Sequence, residues 1–295
     1  MQYFQVMDTP KVVLKKTTYA ILTDERPDIP TGFTLGEFYY GIANSNEEKV
    51  IIKITPLRYL KIDELEGEVL PLETKVHSIL QSQEGHLPLL DYGYAPHYAK
   101  NDPRPHAYMV FPDFIEEGYI PLSAFIKKRG LVSETEAKLF LKSMVDVLDD
   151  MFRVGVASKL LTPGNIYVFP ESCKPLLIDH GTSMLCSKLD SSAVRSPLTS
   201  QALIPDGYHE TFYVPLKVLM AHQLGQILYL MMTRQFYFPA VGFKWPMHIT
   251  STCRRCVEGM LRKSNRVHFG KIRKTAFFKE AEFCGQQYTD GFNSA

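Results

Sequence analysis

The chain has 295 residues, with 33 Lys and Arg against 32 Asp and Glu, so its formal net charge at pH 7 is +1. A balance this even predicts no bulk attraction to nucleic acid or to a membrane surface. Apolar residues make up 45% of the sequence and charged residues 22%, which is typical of a globular protein and excludes a disordered one. No apolar run reaches the roughly 18 residues of a bilayer span, so we expect no transmembrane segment.

The N-terminal third predicts β-strands. Residues 1–31 are expected to form an extension that packs on, or leads into, the first sheet, because they end in a turn-rich connector. Residues 33–42 and 49–54 are rich in β-branched and aromatic side chains, and the stretch from Asn44 to Asn46 separates them, which favours a β-hairpin. Lys53 lies near the end of the second strand of this hairpin.

Residues 58–82 carry apolar side chains at helical spacing, which predicts an amphipathic helix with Glu64 and Glu68 on it. The next distinct pattern is a strand that ends in Phe111 and is followed by Pro112 and Asp113.

The second half of the chain is predicted to be mostly helical. Ser133 and Glu136 form the S-x-x-E pattern of a capping box, which opens a long amphipathic helix that ends at about Arg153. Five cysteines are present, and Cys253 and Cys256 are the only close pair. The pair leaves three alternatives open: a metal site, a structural disulfide that involves the C-terminal cysteines, or free thiols.

Residues 155–181 carry the most informative pattern. Asn165 precedes the apolar-aromatic run Ile-Tyr-Val, and 14 residues later Asp179 follows a second apolar run and opens the triplet Asp-His-Gly. A strand lysine, an asparagine and an Asp-x-Gly in this order resemble the protein kinases. Their strand V-A-I-K, catalytic loop H-R-D-L-x-x-x-N and metal loop D-F-G follow one another in the same way.

The resemblance covers residues 32–290 approximately. It implies an α+β fold of the bilobal protein kinase-like type. The expected parts are an N-terminal extension over residues 1–31, a β-rich N-lobe over residues 32–112 and a helical C-lobe over residues 113–295.

The resemblance also assigns roles to single residues. Lys53 stands where kinases pair the phosphates of ATP, and Glu68 is the favoured partner that would orient it; Glu64 is the second choice. Phe111 stands at the gatekeeper place and Asp113 in the hinge. Asn165 and Asp179 stand where Mg²⁺ is held. A structural alternative applies to these residues: Glu68 as a solvent-facing acid, Asn165 as a brace for its loop, and Asp179 as a buried partner of Lys53.

The chain departs from the kinase pattern at the places that carry catalysis. Ser158, Lys159 and Leu160 stand where His, Arg and the catalytic Asp are expected, and the side chain of Leu160 has no polar atom that could accept a proton. The glycines near residue 37 are not spaced G-x-G, so a glycine-rich phosphate loop is absent. The expectation is an inactive kinase homologue, a pseudokinase, that requires no cofactor; whether its residual pocket binds ATP with Mg²⁺ is left open by the sequence.

The C-terminal pattern, with LGQILYLMM, Trp245 and EGMLRKSNR in order, is similar to the secreted rhoptry- and dense-granule-type kinases of Toxoplasma, in particular to their branch without a Gly loop. This resemblance implies secretion into the parasitophorous vacuole or cyst wall. It also implies a scaffold role among proteins of the secretory or vacuolar matrix, with no nucleic-acid partner. The alternatives are an atypical active kinase that uses another base, and a nucleotide-binding allosteric partner of a true kinase.

Overall fold

The computed structural model describes residues 9–29, 36–57, 60, 62–65, 68–98, 104–186, 193–195, 213–262 and 267–279. These residues form two compact units. The β-rich unit contains the described residues up to Ser82, together with His86–Tyr119 and Asp179–Gly181. The helical unit contains Gln83–Gly85, Ile120–Ile178 and the described residues from Thr182 onward.

The β-rich unit is built on one six-stranded antiparallel sheet. Its elements are β1 (Lys11–Val13), β2 (Thr18–Leu22), β3 (Glu37–Ala43), β4 (Lys49–Pro56), the hairpin β5 (Ile62–Leu65) and β6 (Glu68–Pro71), α1 (Leu72–Leu80), β7 (Asp91–Pro96) and β8 (Pro105–Pro112). The strand order is β1-β2-β3-β4-β8-β7. Strand β4 lies between two neighbours and is buried along most of its length, which explains why most of its residues other than Lys53 are β-branched. Strands β1 and β2 come from the predicted N-terminal extension.

The prediction of one helix over residues 58–82 is wrong for its first half. The chain forms the hairpin β5–β6 there, and the helix begins only after Pro71, whose backbone has φ −56° and ψ 138°. Proline lacks an N–H and fits the start of a helix but not its interior. The apolar residues before Pro71 therefore follow a strand, although their spacing also fits a helix.

In the part of the chain that the structure describes, the helical unit contains helices α2 to α6 and several short strands. Its elements are β9 (Ile120–Pro121), α2 (Leu122–Arg129), α3 (Glu134–Arg153), β10 (Val156–Ser158), β11 (Ile166–Phe169), β12 (Lys174–Leu177), β13 (Ser183–Leu185), β14 (Ala193–Arg195), β15 (Tyr213–Pro215), α4 (Leu216–Thr233), α5 (Ser251–Leu261) and α6 (Phe269–Ile272). The fold is therefore α+β, with the sheet first and most helices later.

Helix α3 confirms the predicted capping box. The Ser133 hydroxyl accepts from the backbone N–H of Glu136, and the Glu136 carboxylate accepts from the backbone N–H of Ser133. Helix α4 is buried almost all round, as expected of a helix at the centre of its unit. A Cβ at Gly225 would lie 2.9 Å from Cβ of Met260, so the glycine permits the close approach of α5.

Among the helices that the structure describes, none is long and apolar enough to cross a bilayer. The cysteines Cys173, Cys186, Cys253 and Cys256 are free thiols, and Cys284 lies outside the described residues. Cys253 and Cys256 are buried in α5, and burial raises the pKa of the Cys256 thiol to about 11.

Candidate functional site

The β-rich unit holds a buried cluster of charged side chains around Lys53. The Lys53 side chain on β4 is 0% exposed, and its Nζ lies 2.6 Å from Oε1 of Glu73 and 3.2 Å from Oδ1 of Asp179. The ring of Phe38, the residue paired with Lys53 on β3, has its centroid 5.6 Å from the same ammonium. The lysine is therefore enclosed by two carboxylates and an aromatic ring of its own unit.

The prediction that Glu68 pairs with Lys53 is wrong. Glu68 lies on β6, where its carboxylate binds Lys15 and accepts from the Tyr92 hydroxyl at the surface. Glu73 takes the predicted role because the helix begins after Pro71 and places this residue in its first turn. A proline that can open a helix, with an acid two residues later in the first turn, is a helix-start signal, and it could have identified Glu73. Glu64, the second choice, lies on β5, and its side chain is outside the described residues.

Burial and mutual attraction shift the pKa values of the three groups in this cluster. Burial raises the pKa of Glu73 to about 8, against the attraction of Lys53. Burial also opposes ionisation of Asp179, but Lys53, Glu73 and the Gly181 N–H outweigh it and lower the pKa of Asp179. Burial alone would lower the pKa of Lys53, yet Asp179 and Glu73 raise it. Burial therefore favours the protonated form of Glu73, whereas Lys53 favours the ionised form of Asp179.

The proton on Glu73 explains an otherwise unsatisfied oxygen. No donor in the described part of the chain reaches Oε2 of Glu73, and a buried acceptor without a partner is costly. When it is protonated, Glu73 hydrogen-bonds to the Asp179 side chain. A proton on Glu73 therefore gives the two carboxyl groups a contact with each other.

Three buried histidines lie beside this cluster. The His77 ring lies with its centroid 4.7 Å from the His180 ring, and His86 lies 5.3 Å from His180. His180 occupies the middle place of the Asp-His-Gly triplet, where the kinase pattern has phenylalanine. Burial lowers the pKa of His77 to about 3 and lowers that of His180 well below its ordinary value, so both rings are neutral. Sequence reasoning missed this cluster because its members come from three separate segments.

Phe111 and Asp113, the predicted gatekeeper and hinge, lie at and just after the end of β8. Phe111 is fully buried, with its ring centroid 4.8 Å from that of His77. Oδ1 of Asp113 accepts from the backbone N–H of Glu116, and Oδ2 lies 3.8 Å from Nζ of Lys49. Pro112 has no N–H to offer, and its carbonyl accepts from the Phe114 N–H at 2.9 Å. The polar groups of this turn are therefore largely engaged with each other.

A cavity of about 420 Å³ opens beside this turn. Its lining is apolar at Val50, Leu90 and Pro112, and its other residues are Glu48, Lys49, Asp113, Glu116 and Glu117. Four carboxylates face one lysine there, so the cavity does not suit the anionic phosphates of a nucleotide.

The connection between β2 and β3 stands where kinases have the phosphate-covering loop. Its described residues include Asp24, Glu25 and Asp28. Arg26 stacks on the Tyr39 ring at 4.6 Å and lies 3.7 Å from Glu37. These negative side chains oppose phosphate binding. Residues 30–35 of the connection lie outside the described residues, so the absence of a glycine-rich loop stays a prediction.

The loop with Leu160 and Asn165 belongs to the helical unit, and Asn165 braces it. The Asn165 amide donates to the Leu160 carbonyl at 2.9 Å, and its Oδ1 accepts from both the N–H and the hydroxyl of Thr162. An amide oxygen has two lone pairs, so both are engaged. Gln223 on α4 holds the same loop in place, because its side chain accepts from the Leu161 N–H and donates to the Lys159 carbonyl, each at 3.0 Å.

We expect Asn165→Ala to lower the free energy of unfolding by about 1–3 kcal/mol, because buried Thr162 and Leu160 groups lose their partner. Urea unfolding with Mg²⁺ and with EDTA measures this, and we expect the same loss in both. The exposed Asn46→Ala is the matched control, with a change within about 0.5 kcal/mol. A loss that occurs only with Mg²⁺ would instead make Asn165 a metal ligand.

No protein-family model matches the chain. Among curated proteins, the chain is similar to a probable serine/threonine-protein kinase of Caenorhabditis elegans, zyg-1, with 23% identity over 163 residues. The aligned part is 51% of this chain and 22% of the length of that relative, so this chain spans well under two thirds of it. The similarity supports a kinase-like protein.

Proposed function

We propose that the chain is a protein kinase homologue with a bilobal kinase-like fold. We propose further that it no longer transfers phosphate and that it acts by binding other proteins. The distant kinase relative and the order of Lys53, Asn165 and Asp179 support the kinase relationship. The scaffold role rests on the resemblance to secreted kinases without a Gly loop. Two further predictions rest on the same resemblance: secretion into a vacuole or cyst wall, and the lack of nucleic-acid partners.

One observation carries the loss of activity. The loop from Val156 to Asn165 contains no Asp, Glu or His. Its backbone is fixed by Gln223 and Asn165, with the apolar, buried Leu160 in the place of the base. Phosphoryl transfer needs a group that orients the acceptor hydroxyl and takes its proton. Leucine can do neither, and within its unit no neighbouring residue of the loop can replace it.

A second function, nucleotide binding with allosteric action on a true kinase, is favoured by one feature. The Lys53–Glu73–Asp179 cluster keeps the three residue types with which kinases handle phosphate and metal. Against it, the ammonium of Lys53 is already paired with both carboxyl groups. We therefore keep nucleotide binding as the alternative and not as the conclusion.

Thermal unfolding with and without millimolar ATP, in Mg²⁺, Mn²⁺ or EDTA, separates the two functions. A ligand at 100 times its dissociation constant stabilises a protein by about 2.7 kcal/mol. We expect no metal-dependent shift and no incorporation of labelled phosphate beyond that of Asp179→Asn. A metal-dependent shift that Asp179→Asn abolishes would establish nucleotide binding, and phosphate incorporation that Asp179→Asn abolishes would establish an active enzyme.

The scaffold role has its own test. A partner captured by cross-linking the wild-type protein should be captured equally by Asp179→Asn, because the proposal places binding outside the charged cluster. Loss of that partner in a well-folded Asp179→Asn variant would tie binding to the cluster and contradict the scaffold role.

A further inference from the structure

The segment that joins α4 to α5 in the helical unit exposes large apolar side chains. Phe236, Phe238 and Val241 stand out from it, the last two with 46% and 57% of their surface exposed. Met247 is 99% exposed, so its side chain touches almost nothing else in the chain. Grouped exposed apolar side chains of this size mark an interaction site more often than scattered ones do. We call residues 234–250 the aromatic loop.

The exposure is not the result of a loosely held segment. Gln226 on α4 accepts from the Tyr237 N–H at 2.9 Å and donates to its carbonyl at 3.1 Å. The Tyr229 hydroxyl accepts from the Lys244 N–H at 2.7 Å. The Tyr237 and Phe243 rings stack at 4.1 Å. Buried side chains of α4 therefore hold the backbone of the aromatic loop in place, while its apolar side chains remain exposed to solvent.

The aromatic loop carries a net positive charge. The aromatic loop contains two cations, Arg234 and Lys244, and no acid, and α5 with its C-cap adds three arginines against the single acid Glu258. One acid of another element reaches the end of the loop, because Glu134 of α3 accepts from the N–H and the hydroxyl of Thr250. Glu258 is already engaged, because it accepts from Nε1 of Trp245 at 2.9 Å and pairs with Arg262. The near-zero charge of the whole chain thus conceals an excess of positive charge on the aromatic loop and α5.

We propose that the aromatic loop docks the protein on an anionic phospholipid surface. Aromatic and Met side chains would enter the boundary between headgroups and acyl chains, where amphipathic rings are favoured. Arg234 and Lys244 would face the anionic headgroups, each of which attracts a nearby cation. An acidic apolar peptide is the alternative occupant, because it also carries negative charge. Protein partners, however, bury their anchor side chains in pockets, and a side chain that is 99% exposed, as that of Met247 is, does not line a pocket.

The chain offers a built-in probe for this contact. Trp245, the only tryptophan of the sequence, lies in the aromatic loop. Its fluorescence therefore reports on this loop and not on the rest of the chain. The test uses two kinds of vesicle, phosphatidylcholine alone and phosphatidylcholine mixed with phosphatidylserine, each with brominated phosphatidylcholine as the quencher. We expect co-sedimentation with the phosphatidylserine vesicles only, weakened by salt and accompanied by quenching of Trp245 fluorescence.

Two variants test the two halves of the proposal with the full chain. Phe238→Ser combined with Met247→Ser removes apolar contacts, and Lys244→Glu reverses a charge; we expect each to weaken vesicle binding about tenfold or more. The matched controls are Val13→Ser, at an exposed apolar position of β1, and Lys128→Glu, at an exposed position of α2. Both controls should bind as the wild type does.

Three results would overturn the proposal. One is no binding to phosphatidylserine vesicles. Another is binding that the controls weaken as much as the loop variants do. The third is tight binding of a labelled acidic peptide that alternates Glu and Phe, without vesicle binding, which would make the aromatic loop a protein-docking site instead. Neither the charged cluster nor the Leu160 loop takes part, so the outcome is independent of the proposed loss of catalysis.

Discussion

Replacement of Lys53 by methionine is expected to lower the free energy of unfolding by about 3–5 kcal/mol, the cost typical of removing one partner from a buried ion cluster. Lys53 is 0% exposed, and its ammonium is the only cation hydrogen-bonded to Asp179 and Glu73 among the residues that the structure describes. Without it, a carboxylate stays buried with no opposite charge. Urea unfolding of the wild-type and variant proteins at neutral pH measures the difference.

Two variants serve as controls for this prediction. Glu73→Gln should cost less than about 1.5 kcal/mol, because an amide of the same shape can donate to Asp179 as the protonated carboxyl does. Glu68→Ala should cost less than about 1 kcal/mol, because its ion pair with Lys15 is at the surface. If Lys53→Met were no more destabilising than Glu68→Ala, the buried cluster would not be formed as described.

The size of the expected loss affects how functional variants are read. In kinases the strand lysine pairs the phosphates of ATP, so its substitution would be expected to test nucleotide binding. Here Lys53→Met would impair folding whether or not the protein binds nucleotide. Asp179→Asn is the safer probe. When Asp179 is neutral, Glu73 can ionise and pair with Lys53, so the buried charge stays balanced.

The sequence located Lys53 and Asp179 because each follows an apolar run whose burial is easily predicted. It failed on their partner. The apolar spacing before Pro71 fits a strand and a helix alike, and only the hairpin β5–β6 decides where α1 begins. A shift of the helix start by a few residues exchanges Glu68 for Glu73, although both stand near the same proline.

Other features of the site depend on tertiary contacts that no local pattern contains. His77, His86 and His180 are far apart in the chain, and only the packing of the β-rich unit brings their rings together. The engagement of Asn165 with Thr162 depends on the backbone path of the loop and not on its residue types. The basic character of the aromatic loop was concealed by the near-zero charge of the whole chain.

The pH dependence of stability is expected to reverse near pH 6.5, because two kinds of buried group oppose each other. The pKa of Glu73 is raised to about 8 in the folded protein, so its protonated form stabilises the fold at lower pH, and this contribution is lost as the pH rises toward 8. The pKa of His77 is lowered to about 3, and that of His180 is lowered as well. Their neutral rings stabilise the fold above about pH 6.5, and this contribution is lost as the pH falls.

Each group alone changes the free energy of unfolding by up to about 1.4 kcal/mol per pH unit within its window. Relative to wild type, Glu73→Gln should therefore show a flatter profile between pH 6.5 and 8. His77→Gln should be flatter between pH 4.5 and 6.5, because its amide does not titrate and can still donate to the Leu87 carbonyl that His77 contacts at 3.1 Å. Urea unfolding at each pH gives both profiles. If the Glu73→Gln profile ran parallel to that of the wild type up to pH 8, Glu73 would be ionised in the folded protein, and the cluster would carry a net negative charge that favours a metal ion.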